Sequence, residues 1–295
     1  MRKILFIINP VAGQGATKKY IPIIHDLMSE LDYDIKISKF EGDATQIAKD
    51  NAPSYTDIIS VGGDGTLTEI IDGLDDFDGS LGILPAGTGN DFARSIELPK
   101  EAEKCLEIIK SGQTKSVDLP SLNDHHFINV ASFGIDGGVI KDTDKIKKHI
   151  PGTPAYILGS LKNIIGFKPY KVTIKIDEKK LEREIVLIAV GNGKYFGGGM
   201  KVTPEAEIDD GLLDVVLANK TRKSKLIKLF SQLFNGSHMS DKIVEHYKCK
   251  EFSIESDGDI FINTDGNLIG KVPAKISVGS KKINIIIPDN VNIEL

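Results

Sequence analysis

The sequence predicts an α/β protein in two parts: a three-layer α/β domain over residues 1–120 and an antiparallel β-sandwich domain over residues 121–287, with residues 288–295 able to return to the first. Three observations predict it. Apolar runs that stop at glycine-rich turns alternate with stretches of helical spacing through the first third of the chain. Past Lys100 to Ile109 the pattern changes to many short strands separated by turns. The 295 residues exceed one average domain, and a hydrophobic fraction of 40% is enough for two cores.

Lys3 to Ile8 is a continuous β-branched and aromatic run ended by Asn9-Pro10, as expected of a strand buried on both faces of a parallel sheet. The loop from Asn9 to Lys19 follows. Gly13-x-Gly15 lacks the third glycine of a dinucleotide fingerprint, since Lys18 stands there, and GxxxxGK[ST] is absent. Lys18 and Lys19 suit phosphate or ribose contact, and equally suit a solvated helix start. Tyr20 to Leu31 has helical spacing, Asp34 to Phe40 alternates as a strand, and Glu41 to Thr45 turns into a second helix. Asp57 to Val61 is the third strand and meets the turn Gly62-Gly63-Asp64-Gly65-Thr66. Leu81 to Leu84 is the fourth, and Pro85 to Arg94 follows it. Three strands thus end in glycine-rich turns, and a doubly wound, Rossmann-like sheet gathers such ends on one edge, where ligands bind.

The turn after the third strand carries the sharpest chemistry. Glycines let a backbone come close to a ligand, and N–H groups at a helix start suit an anion. Asp64 repels a phosphate unless a divalent cation lies between them. The turn therefore reads as a Mg-nucleotide site, against the plainer alternative of a βα loop capped by Asp or Thr.

A formal charge of −5 argues against a general nucleic-acid binder. Cys105 and Cys249 have no metal or redox spacing, and the six histidines show no ligand pattern. The apolar run Ile4 to Ile8 is too short for a signal segment or a membrane span, so a cytoplasmic location is expected.

In the second part, strands are expected at Phe127 to Val130, Val172 to Ile176, Glu184 to Gly191, Leu212 to Leu217, Phe252 to Glu255, Ile260 to Asn263, Lys275 to Val278 and Ile283 to Ile287. Two helical stretches interrupt them. Pro154 to Phe167 is apolar nearly all round. Thr221 to Phe234 sets Leu226, Ile227, Leu229 and Phe230 against Arg222, Lys223, Lys225 and Lys228, which suits either an anionic membrane or packing on a sheet.

With these motifs together, NPVAG, GGDGTLTE, GILPAGTGNDFAR, Val117 to Leu119 and GNGKYFGGGMKVTPEAEIDDGLLDVVL, the chain resembles the bacterial diacylglycerol-kinase-like lipid kinases, which share a fold with sphingosine kinases and NAD kinases. The resemblance implies ATP and Mg²⁺ as cofactors and a lipid hydroxyl as acceptor. It also implies peripheral membrane contact, and a homodimer is left open. Carried over by motif, the ATP contacts are Asn9, Pro10, Gly13, Ser38, Gly62, Gly63, Asp64, Gly65, Thr66, Glu69, Thr88, Asn90 and Asp91, with Lys18 and Arg94 offsetting phosphate charge. A structural Mg²⁺ is implied at the Asp210 side chain and the carbonyls of Glu207 and Leu212; a plain turn between strands is the alternative.

The chain departs from the family at the base. The family has Asp-Gly-Glu, whereas this chain reads Asp265-Gly266-Asn267. Asn267 cannot accept a proton from a hydroxyl. A positioned base contributes about 10²–10⁴-fold. The catalytic candidates are therefore Asp64, Asp265 and position 267. Two rivals stay open: an NAD kinase-like enzyme with a soluble acceptor, and a nucleotide-binding regulatory protein without turnover.

Overall fold

The computed structural model describes residues 2–123, 125–135, 164 and 166–288. The chain divides into two compact units, one made of Met1–Val117 with Lys282–Leu295 and the other of Asp118–Lys281.

The first unit is built on β1 (Lys3–Ile8), β2 (Asp32–Ile37), β3 (Asp57–Gly62), β4 (Ser80–Pro85) and β5 (Thr114–Asp118), joined by one late strand, Lys282–Ile286. Their order is β2-β1-β3-β4, then the late strand, then β5. The β1–β2, β1–β3 and β3–β4 pairs and the pairing of the late strand with β4 are all parallel. Every residue of β3 is buried, as a strand covered on both faces requires. Ile4, Phe6 and Ile8 share a core with Ile24 and Met28, from α1 (Tyr20–Leu27) and its end, and with Cys105, Leu106 and Ile109 of α5 (Ala102–Ser111). The helices α2 (Asp43–Asn51), α3 (Asp64–Asp72) and α4 (Asp91–Ser95) complete the unit. The Arg2 guanidinium ties the sheet to the end of α5, bonding Asp57 Oδ2 at 3.1 Å and the carbonyls of Ile109 and Lys110 at 2.8 Å each.

The late strand corrects the sequence reading, which assigned Ile283 to Ile287 to the β-rich domain. It enters the first sheet because Ile283, Ile285 and Ile286 are buried there, with Ile285 in register with Leu81. Residues 289–295 lie outside the described residues.

The second unit is an eleven-stranded antiparallel sheet that curls on itself. It contains β6 (Ser121–Leu122), β7 (His125–His126), β8 (Val130–Gly134), β9 (Tyr170–Ile176), β10 (Lys179–Gly191), β13 (Leu213–Asn219), β14 (Val244–Cys249), β15 (Glu251–Glu255), β16 (Phe261–Thr264), β17 (Asn267–Lys271) and β18 (Ala274–Ser277), while β11 (Tyr195–Phe196) and β12 (Met200–Lys201) form a separate ribbon. The thirteen-residue β10 makes the curl. Its first half pairs with β9 and its second half with β8, while β13 lies along the other edge. The two branches face each other across one core, where the Phe133 and Phe252 rings lie 5.7 Å apart. Numbering the late strand Lys282–Ile286 as β19 completes the set.

α6 (Lys223–Gln232) follows β13, with Leu226 and Leu229 buried against the sheet and Ile227 exposed. Its sheet-facing side realises the packing alternative read from the sequence. The expected helix from Pro154 to Phe167 falls almost entirely outside the described residues. No helix among the described residues is long and apolar enough to cross a membrane.

Candidate active site

The parallel register aligns the carboxyl ends of three strands. Ile8 pairs with Val61, and Gly62 pairs with Pro85. The ladder runs one residue further on each, since the Asn9 N–H donates to the Val61 carbonyl at 3.0 Å and the Ala86 N–H to Gly62 at 2.7 Å. The loops carrying Asn9, Gly63 and Gly87 therefore start side by side. Their glycines permit the fit: a Cβ on Gly87 would run into Gly63, and one on Gly13, at φ +55°, into the Ala86 carbonyl.

Polar side chains lock the same loops. Asn9 Nδ2 donates to Thr66 Oγ1 at 3.0 Å, while Asn9 Oδ1 accepts from the Val11 N–H at 3.1 Å. Thr66 is buried. Ser38, also buried, donates its N–H to the Ile8 carbonyl at 2.9 Å, which places its hydroxyl beside the end of β1. Asn90, at φ +51°, closes its own turn through both amide atoms with Gly87, each bond 2.9 Å long. Arg94 likewise donates to the Gly89 carbonyl at 3.0 Å. Thr88, Gly65 and Lys18 are exposed, Pro10 and Glu69 half-buried. The Glu69 carbonyl accepts from Thr45 Oγ1 at 2.8 Å.

Asp64 joins two of the turns. Its Oδ1 accepts the N–H groups of Asp91 at 2.7 Å and Phe92 at 3.3 Å, capping α4 from the neighbouring loop. Burial pushes the Asp64 carboxyl above its ordinary range, and the Phe92 and Asp91 amides pull against that shift. The capping alternative is thus realised in trans, on the helix of another turn. A Cβ on Gly89 would lie 2.8 Å from Asp64 Oδ2 and 3.4 Å from Asp91 Oδ2, so both carboxylates turn an oxygen to one glycine. Two carboxylates suit Mg²⁺ that arrives with phosphate oxygens, the usual way that ion is held. No group of three or more His, Cys, Asp or Glu side chains able to hold a metal occurs among the described residues.

In the second unit, Asp265 is the organising carboxylate. Asp265-Gly266 are the two central residues of the β16–β17 hairpin, with φ of +49° and +92° between paired Thr264 and Asn267. Positive φ at both positions is what a type I′ turn demands, and Asp-Gly supplies it. The turn carries the carboxylate to the start of β8. There Oδ2 accepts the Ile128 N–H at 3.1 Å, and Oδ1 accepts those of Asn129 at 3.2 Å and Val130 at 2.9 Å. Three backbone donors stabilise the anion. The expected strand Phe127 to Val130 begins only at Val130, because Ile128 and Asn129 spend their N–H groups on this cradle. Asn267, two residues on, is exposed at the start of β17.

Residues outside the sequence-based site list hold the cradle. The Asn129 carbonyl accepts the N–H groups of Asn192 at 2.8 Å and Gly193 at 2.9 Å. Asn192, fully buried, donates Nδ2 to the carbonyls of Ile128 at 2.8 Å and Asp118 at 3.1 Å. Asp118 Oδ2 in turn accepts the Gly211 N–H at 2.8 Å. Asn192 and Asp118 were legible only as members of longer motifs, GNGKYFGGGM and VDL.

The turn expected to hold a structural metal is already neutralised. Asp210 Oδ1 accepts the Leu212 N–H at 2.9 Å, and Oδ2 pairs with Lys248 Nζ at 3.0 Å. Lys248 also lies 3.6 Å from buried Asp214, whose Oδ1 bonds His246 Nε2 at 2.6 Å. Burial raises the Asp214 carboxyl above its ordinary range, with His246 and Lys248 opposing. Glu207 is exposed. As placed, Glu207, Asp210 and Leu212 do not fit a resident ion, because the Lys248 ammonium already pairs with the Asp210 carboxylate.

Comparison with known proteins agrees with both units. Residues 3–122 match the diacylglycerol kinase catalytic domain, and residues 129–287 match the YegS C-terminal NAD kinase beta sandwich-like domain. The chain is 28% identical to a diacylglycerol kinase of Bacillus subtilis over 98% of this chain and 97% of that one. It is 31% identical to a diacylglycerol kinase of Staphylococcus epidermidis over 99% and 94%. It also superimposes on the crystal structure of a diacylglycerol kinase from Bacillus anthracis with a TM-score of 0.76 and 29% identity, covering 98% and 97% of the two chains. With the glycine-locked turns and the curled sheet both matched, the chain belongs to the bacterial diacylglycerol-kinase-like lipid kinases and is a phosphotransferase with an alcohol acceptor.

Proposed function

We propose that this kinase transfers the γ-phosphoryl group of ATP to the free hydroxyl of diacylglycerol or a closely similar lipid. The observation that carries the reading is the alignment of three strand ends, whose loops are locked by Asn9, Thr66, Asp64 and Asn90 into one fixed edge. Phosphoryl transfer depends chiefly on positioning and charge neutralisation, which such an edge supplies. ATP contacts fall to Asn9, Pro10, Gly13, Ser38, Gly62 to Thr66, Glu69, Thr88, Asn90 and Asp91. Asp64 and Asp91 would hold a Mg²⁺ arriving with the nucleotide, and that ion would supply neutralisation of phosphate charge. Exposed Lys18 adds to that neutralisation.

Asp265 acts on the acceptor side. With its oxygens engaged by three amides, it fixes the loop from Ile128 to Val130 and orients a hydroxyl rather than standing as an unencumbered base. Asn267 supplies no base, so transfer is slow. The enzyme meets its lipid peripherally, through the exposed side of α6, where Ile227 lies among lysines. The test is transfer from labelled ATP to a panel of lipid alcohols, with NAD as a soluble acceptor: phosphorylated diacylglycerol supports the reading, and label on NAD alone sinks it.

A second reading rests on the same hairpin. Exposed Asn267 and cradled Asp265 suit a nucleotide-binding regulator without turnover. Tight ATP binding with no label transferred to any lipid favours it.

A further inference from the structure

Between α6 and the face of the curled sheet lies a cavity of about 100 Å³. Val186 of β10, Ala218 of β13, Leu226, Leu229 and Phe230 of α6, and His238 beyond it form its wall. Protein interiors leave few voids larger than a water molecule. This pocket is lined almost wholly by hydrocarbon, so it favours apolar guests. His238 does not alter that character. Only 3% exposed, it bonds the Val202 carbonyl through Nε2 at 3.2 Å, and burial holds its imidazole below the ordinary histidine range, hence uncharged at neutral pH.

The wall helix suggests the source of the guest. While Leu226 and Leu229 face the cavity, the far side of the same helix and its end expose Ile227 at 47% and Phe234 at 40%. Arg222, Lys223 and Lys228 are exposed along with them. Bulky apolar side chains set among cations are the pattern of a helix resting on an anionic bilayer. One helix therefore carries a membrane-type face outside and an apolar cavity wall inside.

Resting on the lipid-kinase reading above, we propose that this cavity receives part of one acyl chain of the lipid substrate, with α6 as the wall that meets the bilayer. A void of this size holds only a few methylene groups. Each is worth roughly fourfold in affinity on leaving water, so the cavity discriminates chain length.

The substitution Ala218→Phe fills the void from the sheet side. Measured in mixed micelles, the ratio of kcat/KM for dioleoylglycerol to that for diacetylglycerol, whose acyl groups carry no methylene, should fall roughly tenfold or more in Ala218→Phe; an unchanged ratio in a folded variant overturns the proposal. Should Ala218→Phe fail to fold, the smaller Ala218→Leu gives the same comparison. A binding measurement separates this proposal from the kinase reading. Dioleoylglycerol, without ATP, should displace the fluorescent fatty acid parinaric acid from the wild type, and Ala218→Phe should bind that probe more weakly. If displacement occurs but no lipid is phosphorylated, the cavity stands and the kinase reading fails. If parinaric acid does not bind the folded wild type, the cavity proposal falls.

Discussion

The two sites are built in opposite ways. In the first unit, three loops adjacent in the sheet are locked by glycines and short polar side chains, and each works within a few residues of its own strand end. In the second unit, one carboxylate on a hairpin is held by amides more than 130 residues earlier in the chain, and those amides are held by Asn192. The donor edge is built from adjacent strand ends. The acceptor cradle is long-range and lacks the family's third residue. On the proposed reading, catalytic strength is therefore limited by the second unit and nucleotide binding rests on the first.

Breaking the cradle should have the largest effect. Asp265→Ala leaves three backbone N–H groups without their acceptor, at roughly 1–3 kcal/mol for each that stays buried. Transfer should fall about 100-fold through lost positioning and the melting temperature should drop, with ATP affinity held within about twofold by calorimetry. Breaking the donor edge should do the reverse. Gly87→Ala drives a Cβ into Gly63, forcing two turns apart at about 1–3 kcal/mol and weakening ATP binding roughly tenfold or more. Equal loss of ATP affinity in both variants would erase the contrast.

Asn192→Leu tests whether the cradle is held at one remove. It removes both Nδ2 bonds, so transfer should fall about tenfold and stability by roughly 1–3 kcal/mol, again with ATP affinity unchanged. Unaltered kinetics would make Asn192 a purely structural residue.

The smallest effect concerns acid. The Arg183 guanidinium, with Tyr247 and Asn219, holds the Glu245 carboxyl down at about 2. A carboxyl depressed in the folded state contributes stability above its unfolded pKa and loses it as pH falls toward the folded value. The melting-temperature gap between wild type and Glu245→Gln should hold steady down to about pH 5 and close as pH nears 2. A gap that persists in acid would mean the bond matters only through geometry.

The same contrast decided what could be read from sequence. The donor edge was legible because hydrophobic runs, glycines and capping residues are neighbours in the chain. The trans-cap by Asp64 was not, since it depends on β3 and β4 being adjacent. Strand β14 went unread because Val244 to Cys249 alternates with charged residues and is half-buried, and β17 because Gly270 and Lys271 interrupt its apolar pattern. The polar first half of β10, Lys179 to Glu184, becomes strand only by pairing with β9. The last strand looked like one more piece of the β domain, for nothing in Lys282 to Ile286 tells a parallel partner from an antiparallel one. At the candidate metal turn, the motif pointed to Asp210, but Lys248 reaches it only through the β13–β14 register.

On the proposed reading the first unit supplies a complete donor edge and the second an acceptor cradle that lacks its base. Asn267→Glu tests it most directly, assayed with labelled ATP and diacylglycerol while ATP affinity is measured in parallel. ATP affinity should be unchanged and transfer faster by about 10²-fold or more; equal rates in wild type and variant would contradict the missing-base reading.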